Sequence, residues 1–199
     1  GLSAVGAVAG SSAARSVTRR VTVEDPYAGE DFGLMESDRG CVVTTPDGVD
    51  LVVREVGPAD APVTVVFAHG FCNNMGAFHF QRRALARVWG DQVRMVFYDQ
   101  RGHGASSSAA PRTYTVAQLG CDLETVLAVM APRGSVILVG HSMGGMTVLS
   151  HARQFPRRYG TSIVGAALIA SAAEGLSRSP LGEILQNPAL EAARFATRY

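Results

Sequence analysis

The spacing of apolar positions changes several times along the chain, and each change marks an element. "CVVTT" and "DLVVREV" are short β-branched runs separated by a Pro46-Asp47-Gly48 turn, which predicts two strands joined as a hairpin. "VTVVFAHG" (63–70) is almost continuously apolar, the pattern of a strand buried on both faces. Asn73 or Asn74 can cap a helix over 75–88, with Gly90 as its stop. "QVRMVFYD" is a second buried strand, ending at Asp99. Thr115 and Gln118 match a capping box, after which Val116, Leu119, Leu123, Val126, Leu127 and Met130 share one helical face. A strand over 135–140, a helix over "MTVLSHARQF" and a strand over 163–170 complete the pattern.

Strands alternating with helices predict an α/β fold, a mostly parallel sheet with helices on both faces. Ligands of such sheets bind at the carboxyl ends of the strands. Three glycine-containing stretches fall there: "HGFC", "DQRGHGASS" and "GHSMGG".

The flanks differ from this core. Residues 1–14 are small and apolar and are followed by Arg15, Arg19 and Arg20. The run is shorter than the roughly 20 residues a spanning helix needs, and its positive charge follows the apolar part instead of preceding it as in a secretory signal. Two readings fit, a surface arm or the end of a clipped membrane anchor, and both leave the body cytoplasmic. Any membrane association would run through this segment alone. Residues up to 39 read as an arm and linker, 40–173 as the core, and 174–199 as the helical start of a cap.

With 199 residues and 47% hydrophobic content, the chain can bury one domain-sized core. A net charge of +1 gives no reason to expect nucleic acid. Three widely spaced cysteines, Cys41, Cys72 and Cys121, argue against a disulfide framework or a zinc site. No cofactor or metal is expected.

Chemistry concentrates at Gly140-His141-Ser142-Met143-Gly144, which fits the G-x-S-x-G nucleophile elbow between a strand and a helix. Turning within one residue pushes Ser142 toward positive φ, and side chains at 140 or 144 would strike the turn. In return the hydroxyl projects into the cleft beside the Met143 amide at a helix N-terminus, where that N–H can donate to a developing oxyanion. The Phe71 amide, after His69-Gly70, is the expected second donor.

Together "FAHGF", "YDQRGHGAS" and "VGHSMGG" resemble the α/β-hydrolase fold, in particular its serine hydrolases with a mobile cap. The resemblance covers Cys41 to about Ala173. It implies a first antiparallel pair followed by parallel strands, with Ser142 as nucleophile and Phe71 and Met143 as backbone oxyanion donors. Serine stands where epoxide hydrolases and dehalogenases of this fold carry aspartate, which implies an acyl-enzyme and a small-molecule ester, thioester or amide substrate. Asp99, Arg101 and His103 then read as a structural loop beside the site, His141 as a packed side chain pointing away from the cleft, and Cys72 as a small apolar filler.

The base is the difficulty. An elbow serine needs a histidine oriented by a carboxylate, in the chain order serine, acid, histidine. The only histidine after Ser142 is His151, roughly 13 Å further down the next helix at 1.5 Å per residue. No Asp follows Asp122, and Glu174 is the fallback acid. The expectation is a hydrolase truncated before its last strands, itself inactive. The alternatives are thioesterase, perhydrolase or acyltransferase chemistry on the same fold, or a non-catalytic binding module that kept the elbow.

Overall fold

A computed structural model describes residues 25–174. These fall into two compact units, one ending at Asp31 and the other beginning at Phe32. In the first, the Tyr27 N–H donates to Asp25 Oδ1 and the Glu30 N–H to the Tyr27 carbonyl, closing local turns.

The second unit is a six-stranded sheet. Its strands are β1 (Arg39–Thr44), β2 (Asp50–Val56), β3 (Val63–Ala68), β4 (Val93–Tyr98), β5 (Ser135–His141) and β6 (Ile163–Ile169), in the order β1-β2-β4-β3-β5-β6. β1 pairs antiparallel with β2, and β2 antiparallel with β4; every later pairing is parallel. The hairpin turn is the expected one. Gly48 takes φ 81° there, and the Thr45 hydroxyl accepts the Val49 N–H at 2.9 Å.

Among the described residues, three α-helices cover the sheet: α1 (His79–Trp89), α2 (Val116–Met130) and α3 (Met143–Gln154). Leu123, Val126, Leu127 and Met130 of α2 and Val148 of α3 pack with Leu51, Val66, Val96 and Leu138 on one face. On the other, Phe67, Phe97 and Phe78 form an aromatic cluster against which Leu85, Ala86 and Trp89 of α1 pack. One turn of α2 departs from expectation. Val116 is 41% exposed, although it shares the helical face of the buried Leu119 and Leu123. The cap is also only half a capping box: Thr115 Oγ1 accepts the Gln118 N–H, but the Gln118 side chain reaches forward to Asp122.

Two boundaries shift. The helix expected from residue 75 begins as a 3-10 turn, Met75–Phe78, capped by Asn74, and becomes α-helical at His79. Within the stretch read as linker, Leu34–Ser37 forms a 3-10 turn that buries Met35, and Asp38 receives both Nε and Nη2 of Arg82. Expectations for residues 1–24 and 175–199, including the anchor and cap readings, lie outside the described residues. No helix among the described residues is long and apolar enough to cross a membrane.

Candidate active site at the carboxyl edge of the sheet

Ser142 is the single residue between β5 and α3, and its backbone sits at φ 52°, ψ −116°. A β-carbon makes this region costly, so surrounding bonds must hold it. The Ser142 N–H donates to the Ile169 carbonyl at 2.9 Å, and its carbonyl accepts the Gly145 N–H and the Ser171 hydroxyl, each at 2.9 Å.

The neighbouring glycines are there for space. A β-carbon at Gly140 would come within 2.5 Å of the Gly144 carbonyl oxygen, and one at Gly144 would overlap the Ala68 carbonyl. That close approach draws the N-terminus of α3 against the end of β3 and the loop that follows. A β-carbon at Gly70 would lie 3.3 Å from Ser142 Cβ and 3.0 Å from His141 Nδ1. The loop carrying Phe71 therefore lies directly against the serine. Met143 is the first residue of α3, so its N–H has no acceptor inside its own helix. The His141 ring packs on Gly70, at the loop itself.

His69 is fully buried, and its tautomer follows from its partners. Its Nε2 accepts the Gln100 N–H at 3.0 Å, so Nδ1 carries the proton and donates to the Gly70 carbonyl at 2.8 Å. Burial pushes its pKa below the ordinary histidine value.

Asp99 braces the turn as expected, its two oxygens accepting the Met75 and Ala105 N–H groups at 2.7 and 2.8 Å. Arg101 does more than hold its own turn. Its fully buried guanidinium grips Asp122 of α2 through Nε and Nη2, and Asp47 of the hairpin turn through Nη1 and Nη2. Burial opposes its charge, but the two carboxylates outweigh that and raise its pKa, while Asp47 is held down at about 2 chiefly by its hydrogen bond to Arg101. His103 turns Nδ1 to the Arg101 carbonyl at 3.0 Å, with its ring 5.9 Å from that of Phe71. Cys72 corrects the sequence reading: it is exposed, at φ 57°, and so is not an apolar filler.

His151 stands where helical geometry puts it, buried and away from the elbow, with Nε2 at 2.8 Å from Glu124 and Nδ1 at 3.0 Å from the Tyr159 hydroxyl. No described histidine is hydrogen-bonded to the Ser142 hydroxyl. Glu174 lines a cavity of about 350 Å³ with Met146, Leu149, Ser150 and Arg153. No group of three or more His, Cys, Asp or Glu among the described residues could hold a metal ion.

Sequence reading missed Gln100, Thr147, Asp122 and Ser171. Their work is done through tertiary hydrogen bonds between distant segments, for which spacing carries no signal.

A family model described as "Alpha/beta hydrolase family" matches residues 65–199, the part that contains all three glycine-bearing loops. The chain belongs to the alpha/beta hydrolase family. Among its relatives, this α/β hydrolase is 34% identical over 110 residues to the proline iminopeptidase PfmaB of Pestalotiopsis fici, covering 55% of this chain and 37% of that one. It is 32% identical over 114 residues to the bifunctional esterase/perhydrolase DCH of Acinetobacter calcoaceticus, covering 57% and 39%. An inferred aryl esterase from Burkholderia cenocepacia superposes with a TM-score of 0.62 at 29% identity, over 71% of this chain and 49% of that one. The α/β hydrolase chain thus spans less than half of these relatives' length.

Proposed function

We propose that this α/β hydrolase cleaves a carboxylic ester or related acyl bond through an acyl-enzyme on Ser142, with the Phe71 and Met143 amides as its oxyanion hole. One observation carries this reading: Ser142 holds a left-handed backbone at a strand–helix junction, tied down by bonds to Ile169 and Ser171, with the Gly70 loop against its β-carbon. Strain of this kind costs on the order of 1–3 kcal/mol and persists where function uses it.

In the proposed reaction, Ser142 Oγ attacks the carbonyl carbon while its proton passes to a general base. The carbonyl oxygen gains negative charge and accepts from the two amides. Collapse breaks the acyl–oxygen bond, and the alcohol leaves with the proton returned by the base. Water then repeats the sequence, releasing the acid and restoring the serine. The electrostatics suit it, since a helix N-terminus adds positive potential where the oxyanion forms.

No described histidine is hydrogen-bonded to the Ser142 hydroxyl, so the base and acid roles stay open at this site. His69 and His151 have both ring nitrogens engaged. In our reading the catalytic histidine and its carboxylate lie outside these 199 residues, in the rest of an esterase-length chain. The relatives' names, an esterase/perhydrolase and an inferred aryl esterase, support acyl chemistry.

The test is turnover of p-nitrophenyl acetate by the protein expressed from its complete reading frame. Hydrolysis abolished by Ser142→Ala supports the reading; hydrolysis indifferent to Ser142→Ala overturns it. The 199-residue chain alone is expected to retain at most the residual 10³–10⁴-fold acceleration over water that an oxyanion hole and binding give without a triad.

A further inference from the structure

Gln100 lies between the loop and the helix that carry the proposed oxyanion donors, and it bonds to His69 at the start of the one and to Thr147 of the other. It is fully buried, as are His69 and Thr147, its partners. Its backbone N–H donates to His69 Nε2 at 3.0 Å, its side-chain Nε2 donates to the His69 carbonyl at 2.6 Å, and its Oε1 accepts the Thr147 hydroxyl at 2.8 Å. The amide orientation is settled by chemistry, because the His69 carbonyl can only accept and so must face the nitrogen.

Each bond has a consequence at the site. The backbone bond forces the His69 proton onto Nδ1, which then holds the Gly70 carbonyl. In a trans peptide the carbonyl of one residue and the N–H of the next point in opposite directions. Fixing the Gly70 oxygen therefore fixes the direction of the Phe71 N–H. The side-chain amide spans from His69, at the start of that loop, to Thr147, one helical turn beyond Met143. Thr147 in turn lies 3.0 Å from the Met143 carbonyl. One buried side chain thus links the segments bearing both donors.

We infer that Gln100 is a positioning residue, setting the separation and orientation of the Phe71 and Met143 amides around the oxyanion. The inference rests on the acyl-transfer reading above. It adds that the hole is held open from beneath by an amide bridge rather than by the elbow alone. Because an oxyanion hole acts on the transition state, loosening the bridge should lower kcat and spare KM.

The experiment has two arms. In the first, Gln100→Met, which keeps volume and the backbone N–H but removes both side-chain bonds, is assayed on p-nitrophenyl acetate in the full-reading-frame protein. The expected result is a 10–100-fold fall in kcat with KM within about twofold, lying below the 10²–10³-fold loss of an entire donor. Thr147→Val should lower kcat in the same direction, and the double variant should be little worse than Gln100→Met. An unchanged kcat in folded Gln100→Met, with only a lower Tm, overturns the inference. If wild type itself hydrolyses nothing, the functional reading fails at that point.

The second arm needs no activity. Hydrogen exchange of residues 69–74 in the full-reading-frame protein should quicken about tenfold or more in Gln100→Met, while the sheet strands β3 and β5 exchange as in wild type. Equal exchange in that loop refutes the bridge independently of any reaction.

Discussion

His151 and Glu124 are joined at 2.8 Å, Nε2 to Oε2, and the Tyr159 hydroxyl lies 3.0 Å from the other ring nitrogen. The only histidine that follows Ser142 in the chain is thereby committed to a bond between α3 and α2. His151→Ala should accordingly act on stability. The loss of a buried ring and its hydrogen bonds is expected to cost about 2–4 kcal/mol, read as a lower urea midpoint. Fluorophosphonate labelling of whatever fraction stays folded should be unchanged.

The same buried histidines give the fold an acid sensitivity. Burial lowers the pKa of His69 and of His151 below the unfolded value, so the unfolded chain binds more protons as pH falls. Their contribution is complete above about pH 6.5 and is lost progressively below it. Urea midpoints should drop between pH 7.5 and pH 5.5; a flat profile across that window would count against neutral His69. Asp47, held at about 2, adds stability that is present above about pH 4 and lost only as pH falls toward 2.

Arg101 should be the most sensitive position outside the elbow. With its charge buried between Asp122 and Asp47, removing one side leaves an uncompensated ion. Asp122→Asn or Arg101→Met should destabilise by about 3–5 kcal/mol. Asp47→Asn should cost much less, because its side chain is 38% exposed and water can replace the contact. Chemical denaturation of the three variants ranks them directly.

Gly144→Ala probes the elbow's geometry. Its β-carbon would overlap the Ala68 carbonyl, which is backbone within a central strand and cannot swing aside. The expected cost is about 3 kcal/mol or failure to fold. Gly29→Ala, where nothing lies within 4 Å of the added carbon, should be close to neutral.

How much of this was legible from the residues varies by the kind of interaction. The β-branched runs that became β3, β4 and β5, and the Ser142 turn, follow from local sterics and period, and so could be read directly. Val116 could not, because periodicity fixes its helical face while its exposure is fixed by tertiary packing. Gln100 and Thr147 sit 47 residues apart, yet meet where the loop after β4 packs on helix α3. The Arg101–Asp122 pair was hidden likewise: charge in a loop and charge on a helix normally read as solvated. Cys72 was misread because a lone cysteine ordinarily reads as a small buried side chain, whereas its exposure is decided by the path of the loop that holds it at φ 57°.

Covalent labelling addresses the central claim, that Ser142 is an acyl-accepting nucleophile. The protein from the complete reading frame is treated with a fluorophosphonate, digested, and the modified residue mapped by mass spectrometry. The account predicts one stoichiometric adduct on Ser142, absent from Ser142→Ala and slower in Gln100→Met. An adduct on another residue, or none on a folded and pure protein, would contradict it.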